Sequence, residues 1–271
     1  MLGGLLEKTL RETWRVVLLS SLGLALAMAF FVRILPQFQE GLSDIVGQVP
    51  FLRTLLSGMM GVDVSDGIAP GMLLVVAWSH PIVLSIVWGL EVVLGTRVPA
   101  GEIESGTIDV LLGWPASRSA IHAAETIVWL ASGVCLVGCG LLGFQIGAAT
   151  LPAEIRPPTS RTLLTVLNLL AVYVAVGGTV QCIAAACDRR GKAMGLAVAF
   201  LLASFLVQFL STLWEPARRV AAVSFAHYYR PAQTMLGGAT PWVDILVLLV
   251  WGGLFWGAGL LVWRRRSVLT I

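Results

Sequence analysis

Six runs of twenty or more residues, almost free of charge, divide this chain: residues 16–35, 72–94, 123–149, 162–187, 193–213 and 242–263. A helix rises about 1.5 Å per residue, so about 20 apolar residues cross a hydrocarbon layer roughly 30 Å thick. No water satisfies backbone groups inside that layer, which leaves the helix as the spanning element for runs of this length. The pattern predicts an all-α membrane protein, a single transmembrane domain over 1–271 with six spans. Charge agrees: 12% of the 271 residues are charged, against about 25% in soluble domains. The net charge of +3 does not suggest nucleic acid as a partner. Ala27 and Ala29 offer a signal-cleavage pattern, but the first run exceeds the roughly 7–15 apolar residues of a signal core. It is expected to be a retained span.

Orientation follows from Lys and Arg in alternate loops. Of the 18 such residues, eleven fall on one side: Lys8, Arg11, Arg15, Arg97, Arg118, Arg189, Arg190, Lys192 and Arg264, Arg265, Arg266. The other seven, Arg33, Arg53, Arg156, Arg161, Arg218, Arg219 and Arg230, fall opposite. The first side, with both termini, is expected in the cytoplasm.

Before the first span, Leu2, Leu5, Leu6, Leu10 and Trp14 recur at helical spacing opposite Glu7, Lys8, Arg11, Glu12 and Arg15. That predicts an amphipathic helix lying in the membrane interface against lipid headgroups. Residues 36–71 predict two short amphipathic pieces split at Pro50, the second carrying Phe51, Leu52, Leu55, Leu56 and Met59 and followed by turns at Gly61 and Gly67. Gly143-x-x-x-Gly147 and Gly253-x-x-x-Gly257 are small-residue pairs that let helices approach closely, expected within the chain rather than at a dimer seam. Residues 188–192 force spans four and five into a hairpin.

Polar groups inside spans are few. His80-Pro81 breaks the second span; the His either contacts substrate or satisfies backbone freed by the Pro. Glu91 and Glu125 are expected to snorkel or to pair with Arg97 or Arg118. Asn168, Gln181 and Gln208 are expected to bond across helices. Cys135 and Cys139 share a helix face and read as small apolar packing rather than a soft-metal pair, since no Met or His set accompanies them.

The loop 101–125, GEIESGTIDVLLGWPASRSAIHAAE, sets Ile103, Ile108, Leu111 and Leu112 against Glu102, Glu104 and Asp109. Pro115 ends the element, and Ser117 or Ser119 can cap the next helix. The pattern predicts a short amphipathic helix on the cytoplasmic surface.

Here the chain resembles a family. Glu102-x-Glu104-x-Gly106-Thr107-x-Asp109-x-Leu111-Leu112-x-x-Pro115-x-Ser117-Arg118 looks like the coupling segment of type-2 ABC exporter permeases. Ser224-Phe225-Ala226-His227-Tyr228-Tyr229-Arg230-Pro231 is similar to their external re-entrant element before the last span, with Ala226 where Pro is common. The resemblance implies a permease subunit in the cytoplasmic (inner) membrane of a prokaryotic cell. It implies pairing with a second copy or a paralogue, and docking on a separate nucleotide-binding ATPase that holds ATP and Mg. This chain is expected to bind no cofactor and to be no enzyme itself: it has no G-x-x-x-x-G-K-[ST] loop, and Gly191-Lys192 is followed by Ala193. Against an intramembrane enzyme stands the lack of H-E-x-x-H or G-x-S-x-G and the total of 3 His. A secondary transporter or a non-transporting scaffold is the alternative.

Overall fold

The computed structural model describes residues 2–49, 51 and 72–267. Among them there is no strand, and six helices are long and apolar enough to cross a membrane. The protein is a multi-pass membrane protein. In chain order the helices are α1 (Leu2–Ile34), α2 (Gln39–Gln48), α3 (Met72–Ser79), α4 (Pro81–Gly95), α5 (Ile108–Gly113), α6 (Arg118–Ala148), α7 (Thr159–Ala186), α8 (Arg190–Leu213), α9 (Glu215–Val220), α10 (Pro231–Met235) and α11 (Trp242–Arg265). The second predicted amphipathic piece and its turns lie outside the described residues; the first is α2.

Several helices begin before their apolar runs. α6 starts at Arg118, where the Ser117 hydroxyl accepts the Ala120 N–H at 3.1 Å and caps the helix. α1 departs further from expectation. The N-terminal stretch does not form a separate helix lying in the interface; it is continuous with the first span from Leu2 to Ile34. No Gly or Pro separates Trp14 from Val16, so nothing breaks the helix there. Its inward stripe is Leu5, Thr9, Thr13, Ser21, Leu24, Met28 and Val32, whereas Leu10 and Trp14 of the apolar face point outward, each 51% exposed.

Small residues set the helix contacts. A Cβ on Gly143 would stand 2.1 Å from the Ala25 carbonyl oxygen, and one on Gly147 would stand 2.9 Å from that of Ala29. Gly143-x-x-x-Gly147 therefore packs α6 on the matching Ala25-x-x-x-Ala29 of α1, as an intramolecular seam. In α11 the pair Gly253/Gly257 touches nothing within 4 Å of a built Cβ. The contact there runs through Gly252 and Gly259 against α7 at Gly178, Val174 and Cys182. α7 carries buried Ala171, Ala175, Gly177, Gly178 and Ala184 and sits at the centre, in contact with α4, α6, α8, α10 and α11. Outward faces such as Leu18, Leu19, Leu22, Leu26 and Phe30 are apolar and bare, the composition that lipid requires.

The ends of α1, α4, α7 and α11 that carry Lys8, Arg97, Cys187 and Arg266 meet α5 and the start of α6 and α8 at one end, called here the basal end. At the other end the chain after α9 folds back between helices. The Ser224 hydroxyl donates to the Ser204 carbonyl at 2.8 Å, and Asn168 Nδ2 donates to the Tyr228 carbonyl at 3.1 Å. Ser204 and Asn168 each lie nine residues inside their helix ends, so the segment descends about 13 Å into the bundle.

Candidate functional site

At the basal end, a turn of helix at Glu102–Glu104 precedes Gly106, whose φ of 69° is the left-handed backbone that glycine tolerates. That turn condition explains the glycine. α5 follows, with Ile108 and Leu111 buried among Leu5, Ile121, Ala124, Ala185 and Trp263, so four spans hold it. Leu112 packs on the same cluster. Asp109, Val110, Gly113, Trp114 and Pro115 face out; Val110 is 66% exposed and Trp114 44%.

The two carboxylates of the segment, Glu102 and Glu104, have partners within this chain. Lys8 Nζ donates to Glu102 Oε1 at 2.7 Å, and the Thr107 hydroxyl donates to the other oxygen. Burial pushes the Glu102 carboxyl up, but hydrogen bonds from Lys8 and Thr107 and the charges of Lys8 and Arg97 outweigh it and hold the group below its ordinary value. Glu104 accepts the backbone N–H of Arg190 at 2.9 Å, at the first turn of α8, where the helix dipole favours an anion. Lys8 also meets Glu12, and Arg97 bridges Glu12 and Glu125. Thr9 donates to Glu125 at 2.7 Å. Arg118 is likewise engaged: it donates to the Trp263 carbonyl at 2.9 Å and lies 4.9 Å over that indole ring. Arg266 clamps the spans-four-to-five hairpin at Ala185, Cys187 and Asp188. A groove of about 560 Å³ runs past Lys8, Arg97, Glu102, Thr107, Trp114 and Arg190.

Glu125 pairs with Arg97 as the sequence implied, but Glu91 does not reach an interface. It is fully buried, its Oε2 accepting Trp129 Nε1–H at 2.7 Å and its Oε1 unpartnered. Gly177 makes the room: a Cβ there would stand 2.3 Å from Oε2.

At the opposite end His80 is the residue between α3 and α4. Its Nδ1 accepts the Ile82 N–H at 3.2 Å, capping α4, with Pro81 in the first turn where its missing N–H costs nothing. Its ring stacks on Phe31 at 4.1 Å. The backbone-satisfying role is thus occupied, and the ring also lines a cavity of about 170 Å³ with Trp88, Phe205, Phe209, Phe225 and Tyr229. Phe225 is buried, and His227 is held between Gln208 at 3.3 Å and Arg230 at 2.8 Å. Tyr228 donates to the Ala222 carbonyl and Tyr229 to that of Trp78, both at 2.9 Å. Pro231 opens α10 and is buried. Tyr229 is turned inward by this bond. Asn168 and Gln208 serve the folded-back segment rather than a neighbouring helix, and Gln181 lines a small cavity with Thr13 and His122.

Among the described residues no three of His, Cys, Asp and Glu gather as a metal-binding set. Sequence spacing missed Lys8, Thr9 and Arg190, and the second partner of Arg97, Glu12. The available signal was the i, i+4 pair Lys8/Glu12, which marks a charged stripe without saying what it faces. No family model, curated protein or solved structure matches this chain.

Proposed function

We propose that this chain is the permease subunit of an ATP-driven type-2 ABC exporter, working as a dimer and driven by a separate nucleotide-binding ATPase docked at the basal end. On this reading the basal end, with both termini, is cytoplasmic, α5 is the coupling helix, and the folded-back segment of residues 224–231 is the external re-entrant element. The observation that carries the reading is the build of α5. Its outer face is free and partly apolar at Val110 and Trp114, while Ile108 and Leu111 are embedded among side chains of α1, α6, α7 and α11. A push on such a helix reaches four spans at once. With Glu102 and Glu104 engaged inside the chain, docking falls to Asp109, Val110, Trp114 and Pro115. The His80 cavity is the substrate path that the reading supplies.

The experiment is affinity purification of the full chain with identification of its partners, a nucleotide-binding ATPase being the one expected. Val110→Asp with Trp114→Ala should lower association about tenfold, as loss of a central apolar contact does, while insertion and folding persist. Unchanged association and unchanged stimulation of hydrolysis would sink the coupling assignment.

One observation favours a second reading, a proton-coupled secondary transporter. Glu91 is a buried intramembrane carboxyl with no ion-pair partner among the described residues. The discriminating result is transport by this chain alone, driven by a proton gradient and lost in Glu91→Gln.

A further inference from the structure

The cavity beside His80 changes character with depth. Its inner wall is apolar, built from Leu84, Trp88, Val172 and Phe225, and no Asp, Glu, Lys or Arg lines it anywhere. The Trp88 Nε1–H is sealed from accessible space and takes no part. Away from the basal end the wall turns polar at Ser79, His80, Gln208 and Thr212. Ser79 and Thr212 spend their hydroxyl hydrogens on the Val76 and Phe209 carbonyls, and Tyr229 spends its own on that of Trp78. His80 and Gln208 differ: both are partly exposed, and each keeps a nitrogen that no described residue engages. The hydrogen-bond network fixes what those nitrogens carry. His80 Nδ1 accepts the Ile82 N–H, so the neutral ring holds its hydrogen on Nε2. Arg230 only donates, so the His227 Nε2 at 2.8 Å accepts from it, and His227 Nδ1 carries the hydrogen. That hydrogen goes to Gln208 Oε1 at 3.3 Å, which leaves the NH₂ as the free end of the Gln208 amide. Both open groups are donors.

We infer that this cavity binds an uncharged amphiphile by a carbonyl group, an amide or an ester, which accepts from His80 Nε2–H and the Gln208 NH₂ while the hydrocarbon part lies inward against Trp88 and Phe225. A carbonyl oxygen has two lone pairs and no hydrogen, the complement of two donors. An ammonium brings three donors to side chains that have only hydroxyl lone pairs left to accept them. Any ion is also stripped of water there, with no opposite charge on the wall to pair it. At about 170 Å³ the cavity resembles in size the apolar cavities that admit benzene, so it takes a ring or a short acyl segment rather than a whole lipid. Phe205, one turn from Gln208 on α8, is 40% exposed, which makes the wall continuous with the apolar outer surface and lets ligand enter from the membrane side. The substrate class so named rests on the reading of this cavity as the transport path; binding itself requires no ATPase.

The test uses the full chain in nanodiscs and three photoprobes that share one diazirine-bearing eight-carbon chain: an N,N-dimethyl amide, which only accepts, a primary ammonium and the plain hydrocarbon. Sites are mapped by peptide mass spectrometry. The amide should label the peptides around Leu84 and Phe209 saturably, at least about fivefold above either comparator, the effect of one hydrogen bond. Gln208→Leu should lower amide labelling about fivefold and leave hydrocarbon labelling unchanged, which shows that the cavity persists. His80→Ser keeps a side-chain acceptor to cap α4 but withdraws the donor, and should act likewise. If one variant also loses hydrocarbon labelling, the other decides. Equal labelling by amide and hydrocarbon, a preference for the ammonium, or amide labelling unmoved in a variant whose cavity persists overturns the inference and leaves water on these two nitrogens. Amide-selective labelling of a chain with which no ATPase co-purifies supports the site and counts against the exporter reading alone.

Discussion

The Tyr229 hydroxyl donates to the backbone carbonyl of Trp78 at 2.9 Å, across 151 positions of sequence. Trp78 lies in the last turn of α3, and the N–H that a continuous helix would bring to its carbonyl, that of Ile82, is given to His80 Nδ1 instead. The folded-back segment therefore repairs the break that His80-Pro81 makes. Tyr229→Phe should lower stability by about 1 kcal/mol, seen as a lower thermal midpoint in detergent. A midpoint equal to wild type would mean that water satisfies Trp78 equally well.

Lys8 and Glu102 form a partly buried pair at the basal end, with side chains 27% and 11% exposed. Glu102→Gln and Lys8→Met should each cost about 1–2 kcal/mol, the double variant clearly less than their sum. Additive losses would show that the two residues act independently.

The same pair sets a pH dependence. The folded Glu102 carboxyl lies below its ordinary 4.5. A lowered folded value means stability that is fully present above 4.5 and is lost as pH falls through the folded value. The midpoint difference between wild type and Glu102→Gln should thus be constant from neutral pH down to 4.5 and shrink below it. A difference that grows on acidification would refute the assignment.

The glycine seam makes a contrast. Gly143→Val drives a side chain into the Ala25 backbone and should cost about 1–3 kcal/mol or more. Gly253→Val, with open space around it, should leave the thermal midpoint nearly unchanged. Equal effects would place the α1–α6 contact elsewhere.

Orientation is checked by single Cys residues in a Cys-free background. On the proposed topology, Cys at Ser43 or Thr159 reacts with an impermeant thiol reagent added outside intact cells, and Cys at Ser105 does not. Labelling at Ser105 reverses the topology.

The spans were legible because hydropathy over some twenty residues is a property of the segment itself. The Gly143 seam was legible for the same reason, and so was the His80-Pro81 break. What hydropathy does not carry is the rotation of a helix about its axis. Glu91 lies four residues from the end of α4, and its exposure depends on whether it meets Gly177 or lipid, which is fixed by packing and not by position. Leu10 and Trp14 show the same blindness: an apolar stripe in a membrane protein turns outward as readily as inward, since lipid is as apolar as the core. Glu102 looked free because its cation stands 94 residues away, and no local spacing rule spans that distance.

α1 is helical over all its 33 residues. Near its start Lys8 holds Glu102, and near its other end Phe31 stacks on His80. The two contacts are 23 residues apart, about 35 Å along the axis, with no Pro and no break between them. A shift of Glu102 would therefore find no joint in α1 to absorb it, and on the proposed reading this helix would act as a push-rod between the groove and the cavity wall.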